Sequence, residues 1–189
     1  MKKLLFFLAF PLLVNAQNYS VDPTLALRVV GGNTITISQS FTNATGTNSY
    51  ASADMVCNAA TNLLTFPVAK YNGGSGYITK VALTTNGTNT TAGFRVWFYR
   101  SVPSTLPGDN NPFTLAWANR TSRIGFIDTG SLAQEGAGSE CVYGQNITDR
   151  LPFAANYNTN VIYAAIEAKG AFTGITNQVF NLEITSEQN

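Results

Sequence analysis

Residues 73–99, GGSGYITKVALTTNGTNTTAGFRVWFY, constrain the fold more than any other part of the chain. After the GGSG turn, Tyr77 to Thr84 alternates, and an Asn/Gly/Thr loop follows. Then comes FRVWFYR, with Phe94, Val96 and Phe98 on one face and Arg95, Trp97 and Tyr99 on the other. A two-residue period of β-branched and aromatic side chains fits a half-buried antiparallel strand and fits a helix badly. The pair reads as the central hairpin of an all-β domain.

Composition agrees with an all-β chain. Charged residues make up 11% of the 189, well below the usual quarter, and Thr, Asn, Ser and Gly take their place. That mixture suits strands with Thr-rich outer faces joined by Asn/Gly turns. Hydrophobic content of 44% is enough for a core in a single domain. The chain has no histidine, which removes Ser-His-Asp and Cys-His hydrolase designs, His-containing zinc sites and a His proton shuttle. The ten acidic residues are scattered, so the expectation is a non-enzymatic protein without a cofactor or metal.

Residues 1–16, MKKLLFFLAFPLLVNA, place Lys2 and Lys3 before an eleven-residue apolar run and end in small residues at Val14-Asn15-Ala16. This is the order of a secretory signal peptide cleaved after Ala16, and the run is too short to span a membrane. The alternative is an apolar assembly arm packed on a neighbouring subunit. Cleavage leaves nine basic against ten acidic residues, a net charge of −1. A nearly neutral chain has neither the footprint of a nucleic-acid binder nor a polybasic membrane patch. Cys57 and Cys141 are the only cysteines; in an exported chain they suggest one disulfide. That bridge would close a loop of about 84 residues, worth ~4 kcal/mol on the loop-entropy model. In a cytoplasmic chain they read instead as two separate buried thiols.

Along the chain, residues 25–30 read as a first strand before Gly31-Gly32-Asn33, and residues 34–38 alternate with Ile35 and Ile37 on one face. Residues 42–49 have loop composition and divide an N-terminal arm (17–49) from the main domain (50–189). Further strands are expected at 54–57, 63–68 (with Pro67 at an end or edge), 123–128, 161–168 and 179–185, the last with Phe180, Leu182 and Ile184 on one face. Residues 101–113, SVPSTLPGDNNPF, form a long loop, and 113–118 a short strand or a helical turn. Eight or nine short strands with turns between them give an antiparallel β-sandwich of jelly-roll type.

Among candidate sites, Pro107-Gly108-Asp109-Asn110-Asn111 resembles part of a calcium loop but carries one carboxylate, where calcium takes 6–8 oxygens. Turn formation accounts for it better. Trp97 and Tyr99 are the candidates for a sugar-stacking platform or a subunit contact if their face is open to solvent; the alternative is packing. Six N-x-S/T triplets, at Asn18, Asn43, Asn86, Asn89, Asn119 and Asn146, fit the chance yield of an Asn/Thr-rich chain.

From Tyr50 onward, a series of short pieces occurs in order. Leu64-Thr65-Phe66 precedes Gly74-Ser75-Gly76-Tyr77-Ile78 and Val81-Ala82-Leu83. Phe94-Arg95-Val96-Trp97-Phe98 follows, with Pro103, Asp109-Asn110, Phe113 and Ile124-Gly125-Phe126. Leu151-Pro152-Phe153, Ile162-Tyr163-Ala164 and Gly170-Ala171-Phe172 complete the series before a final alternating strand. In this order and spacing, residues 50–185 resemble a largely uncharacterised family of structural proteins of tailed bacteriophages. The resemblance implies a β-sandwich virion component (capsid decoration, head fibre or tail-associated) whose partners are identical copies and other virion proteins. Tailed phage particles assemble in the cytoplasm, so this role goes with the assembly arm. A cleaved leader goes instead with a secreted or cell-surface sandwich that binds glycans or another surface.

Overall fold

The computed structural model describes residues 33–43, 47–58 and 63–188. The leader or arm at 1–16 and the strand expected at 25–30 lie outside them. Two five-stranded antiparallel sheets form a sandwich. The strands are β1 Thr34–Asn43, β2 Ser49–Tyr50, β3 Met55–Val56, β4 Leu64–Phe66, β5 Ser75–Thr85 and β6 Gly93–Tyr99. They continue with β7 Arg123–Ser131, β8 Val142–Asn146, β9 Leu151–Ala154, β10 Ile162–Ala168, β11 Phe172–Thr173 and β12 Gln178–Gln188.

The first sheet runs β1-β12-β5-β8, with β9 beside β8 along the same edge of β5; the second runs β3-β10-β6-β7, with β4 beside β3 along β10. Counting β3/β4 and β8/β9 as one position each, eight strand positions are shared between the two layers in jelly-roll order, each connection changing layer except β6 to β7. The β2–β11 ribbon closes one end, where the Tyr50 and Phe172 rings stack with centroids 4.5 Å apart.

Hydrophobic alternation sets the register. On β12, Phe180, Leu182 and Ile184 are fully buried, opposite Thr85, Leu83 and Val81 of β5. Strict alternation on β5 from Ile78 would turn Lys80 into the core. A bulge at Thr79, where the β12 register shifts between Thr185 and Ser186, resets the phase so that Ile78, Val81 and Leu83 all face inward. From the second sheet Phe94, Val96, Phe98, Ile162 and Ile166 meet them, and Phe94 packs edge-on against Phe180.

The structure corrects two expectations of organisation. β5 and β6 are not a hairpin: β5 pairs with β12, β8 and β9, while β6 pairs with β10 and β7 in the other sheet. The connection 86–92 crosses between layers about 10 Å apart, a span within reach of seven residues. And β1, assigned from sequence to an N-terminal arm, is a full strand of the first sheet, paired with β12 from Thr34 to Asn43.

Candidate functional site

The outer face of the second sheet holds the sequence candidates Trp97, Tyr99 and Cys57, with the buried Glu167 beside them. Opposite their core residues, β6 presents Trp97 and Tyr99 beside Arg95, and β10 presents Tyr163 and Ala165 beside Glu167, so this largely apolar outer side needs a cover. The cover is the β6–β7 connection, 100–122, which docks on β3 in strand-like fashion. Phe113 N–H donates to Ala53 O (2.7 Å), Met55 N–H to Asn111 O (2.8 Å) and Asn110 N–H to Met55 O (2.9 Å). Leu106 and Phe113 from this loop close over Met55, Cys57, Trp97 and Tyr99 as a second, smaller core.

Trp97 and Tyr99 are therefore not a surface platform in this chain: Trp97 is 6% exposed and Tyr99 1%. Trp97 stacks on Phe113 (centroids 5.6 Å, 6° between planes) and meets Phe126 at 5.0 Å. Its indole N–H donates to Glu167 Oε2 at 2.6 Å, and Lys169 Nζ stands 3.5 Å from Glu167 Oε1. Beside it, Arg95 forms a bidentate pair with Asp128 (2.7 and 2.9 Å) and lies 3.8 Å over the half-exposed Phe126 ring. Burial pushes the Tyr99 hydroxyl up, with Arg123 opposing the shift.

Asp109, from the calcium-like segment, turns inward and takes protein donors. Cys57 N–H donates to its Oδ1 (3.0 Å); the Tyr50 hydroxyl (2.8 Å) and Asn43 Nδ2 (3.1 Å) donate to Oδ2. Asn43 Nδ2 also donates to the Tyr50 oxygen. Burial first, then the bond to Asp109, push the Tyr50 hydroxyl far up. Burial and the nearby Asp109 carboxylate push the Cys57 thiol up to about 12. A thiol so shifted stays protonated at neutral pH and is no nucleophile. This set of residues pins one long loop onto β1, β2 and the residue that follows β3. Among the described residues no group of three or more His, Cys, Asp or Glu side chains is placed to hold a metal.

The expected bridge between Cys57 and Cys141 is not made. Cys57 is buried after β3 of the second sheet, whereas Cys141 is exposed just before β8 of the first. Sequence reasoning missed Asp109 and Glu167 as anchors. Glu167 carried a signal, a lone charge in the apolar run VIYAAIEA; Asp109 was hidden in turn-like composition. The open aromatic surface is on loops instead: Trp117, 77% exposed with Arg120 at 4.5 Å over its ring, and Tyr157, 84% exposed.

No protein-family model matches this chain, and no curated protein does. Among solved structures, it is similar to a family two carbohydrate esterase from Cellvibrio japonicus at 9% identity and a TM-score of 0.18. The match covers 82% of this chain and 35% of that one, so the chain spans about a third of that protein's length. A likeness at this level carries no argument about the chemistry of this chain.

Proposed function

We propose that the chain is a non-enzymatic structural component of a tailed-phage particle, a jelly-roll body that works by self-association and attachment to a particle surface. The observation that carries this reading is the jelly-roll order of the two sheets, an architecture that capsid domains share with lectins. It stands beside the resemblance of residues 50–185 to phage structural proteins. The buried polar groups support the reading too: the Tyr50 hydroxyl, the Cys57 amide and the Asn43 side chain are spent on holding Asp109 of the long loop.

The second reading is an exported sandwich that binds glycans. It is favoured by the exposed Trp117 and Tyr157 rings, since an open aromatic face is what a sugar stacks on. N-terminal peptide mapping by mass spectrometry, on purified particles and on culture supernatant kept apart, separates the two. A chain in particles that still starts at Met1 is the expected result; a chain starting at Gln17 and free in the supernatant would overturn the virion reading.

A further inference from the structure

Two turns at one end of the sandwich are built as a single piece. The β4–β5 connection (67–74) and the β9–β10 connection (155–161) meet where Ser75 pairs with Ala154. Gly73 N–H donates to Asn156 O (3.1 Å) and Thr159 O (2.9 Å), Ala155 N–H to Gly74 O (2.9 Å) and Ala69 N–H to Asn160 O (3.0 Å). Each turn is also closed on itself, by Gly74 N–H to Tyr71 O (2.9 Å) and by Thr159 N–H to Asn156 O (3.0 Å). Gly73 permits the contact: its φ is +70°, and a Cβ there would stand 3.2 Å from the Tyr157 Cα. With the backbone bonded inside the pair, Tyr71, Asn72, Tyr157 and Asn158 are exposed. Among the described residues Tyr157 is the most exposed large apolar side chain, and Tyr71 is half exposed.

We infer that these two turns form a binding site for a neutral glycan, with Tyr71 and Tyr157 as stacking rings and the amides of Asn72, Asn156, Asn158 and Asn160 as partners for its hydroxyls. From the Gly73 contact and two peptide steps, the Tyr71 and Tyr157 Cα atoms lie within about 12 Å of each other, a separation that a short run of consecutive sugars spans. A sugar presents C–H groups on its faces and hydroxyls on its rim, so it suits flat apolar rings flanked by groups that both donate and accept. Among the described residues, the side chains of these four asparagines are hydrogen-bonded to nothing, which leaves each amide able to do both. Charge and composition decide the class. Residues 69–74 and 154–160 contain no carboxylate and one cation, Lys70, whose ammonium lies 5.3 Å over the Tyr71 ring. A nucleic acid or an acidic polysaccharide calls for a run of basic groups, and a protein partner for an apolar interface core. Here the aliphatic side chains are three alanines. The inference gives the glycan reading above its site and ligand class and rests on that reading; it is indifferent to whether the chain rides on a particle or is exported.

The experiment is isothermal titration of the full chain with cellohexaose, chitohexaose, mannohexaose and xylohexaose, at low salt and again at about 0.5 M sodium chloride. The variants are Tyr71→Ala, Tyr157→Ala, Tyr157→Phe and, on the β6–β7 connection, Trp117→Ala. Both tyrosines are exposed and outside the two cores, so their truncation should leave the thermal midpoint unchanged. The expected result is that at least one hexasaccharide binds with no effect of salt. Each Tyr→Ala variant should weaken it about tenfold, while Tyr157→Phe and Trp117→Ala bind as the parent does. If no hexasaccharide binds, the glycan reading falls and the site with it. If one binds but the Tyr→Ala variants match the parent, or Trp117→Ala alone abolishes binding, the reading stands and this site is overturned. Binding lost at high salt overturns the site too, since a neutral sugar has no charge to screen and an anionic partner does.

Discussion

Replacing Asp109 with alanine tests whether one carboxylate holds the long loop over the second core. In the parent it accepts from the Cys57 amide, the Tyr50 hydroxyl and Asn43 Nδ2 at 2.8–3.1 Å. Tyr50 and Cys57 are both buried, so Asp109→Ala leaves two donors unsatisfied unless water enters. Each orphaned group costs about 1–3 kcal/mol, and water entry on loop opening relieves part of this, giving a net loss of about 2–4 kcal/mol. Asp109→Asn keeps one acceptor oxygen and should cost about half as much. Urea unfolding supplies the stability change. Alkylation of Cys57 under native conditions, in a Cys141→Ser background, reports on the loop itself, because Cys57 lies beneath Leu106 and Phe113. The expected result is lower stability together with faster Cys57 labelling, Ala beyond Asn. The clamp argument fails if Asp109→Ala stays within about 0.5 kcal/mol of the parent, the range of an ordinary surface change. It also fails if stability drops while Cys57 stays protected.

The same cluster sets an alkaline limit. Tyr50, Cys57 and Tyr99 have folded pKa values above their unfolded ones, so the folded state holds more protons at high pH. Their contribution is intact below pH 9 and is lost as pH rises, Cys57 first, between 9 and about 12, at up to ~1.4 kcal/mol per pH unit for each group. Urea midpoints should therefore fall above pH 9, and less steeply in Tyr50→Phe; a flat profile to pH 11 would refute the assignment. For the cysteines, intact mass should not change on reduction, and native alkylation should label Cys141 quickly and Cys57 only on unfolding. A mass shift of two hydrogens on reduction would restore the bridge. Finally, a Cβ on Gly76 would come 2.1 Å from the Glu187 carbonyl oxygen, so Gly76→Ala must displace β12 from β5. A loss of about 2 kcal/mol or more in chemical denaturation is expected, and a neutral result would mean that β12 pairs differently there.

Which faces of the strands are buried was legible in the sequence; which layer each strand joins was not. Phe94, Val96 and Phe98, like Phe180, Leu182 and Ile184, were assigned to one face by alternation, and all six are fully buried. Alternation is a local property of the pleat and is silent about the partner strand, so β5 and β6, neighbours in sequence, were read as a hairpin although they belong to opposite sheets. Likewise the even cysteine count could not show that Cys57 and Cys141 sit on different sheets, and Pro152 hid β9. The cover over Trp97 was implied by its neighbours more than by its own composition. β6 and β10 carry Trp97, Tyr99 and Ala165 on the face opposite their core residues, and a strand largely apolar on both faces must be covered on both. The only long connection leaving β6 is the Pro- and Asn-rich stretch, whose Leu106 and Phe113 are its apolar anchors and whose Asp109 satisfies buried donors. Loop composition described how that stretch turns, while the largely apolar strands beneath it dictated where it had to lie.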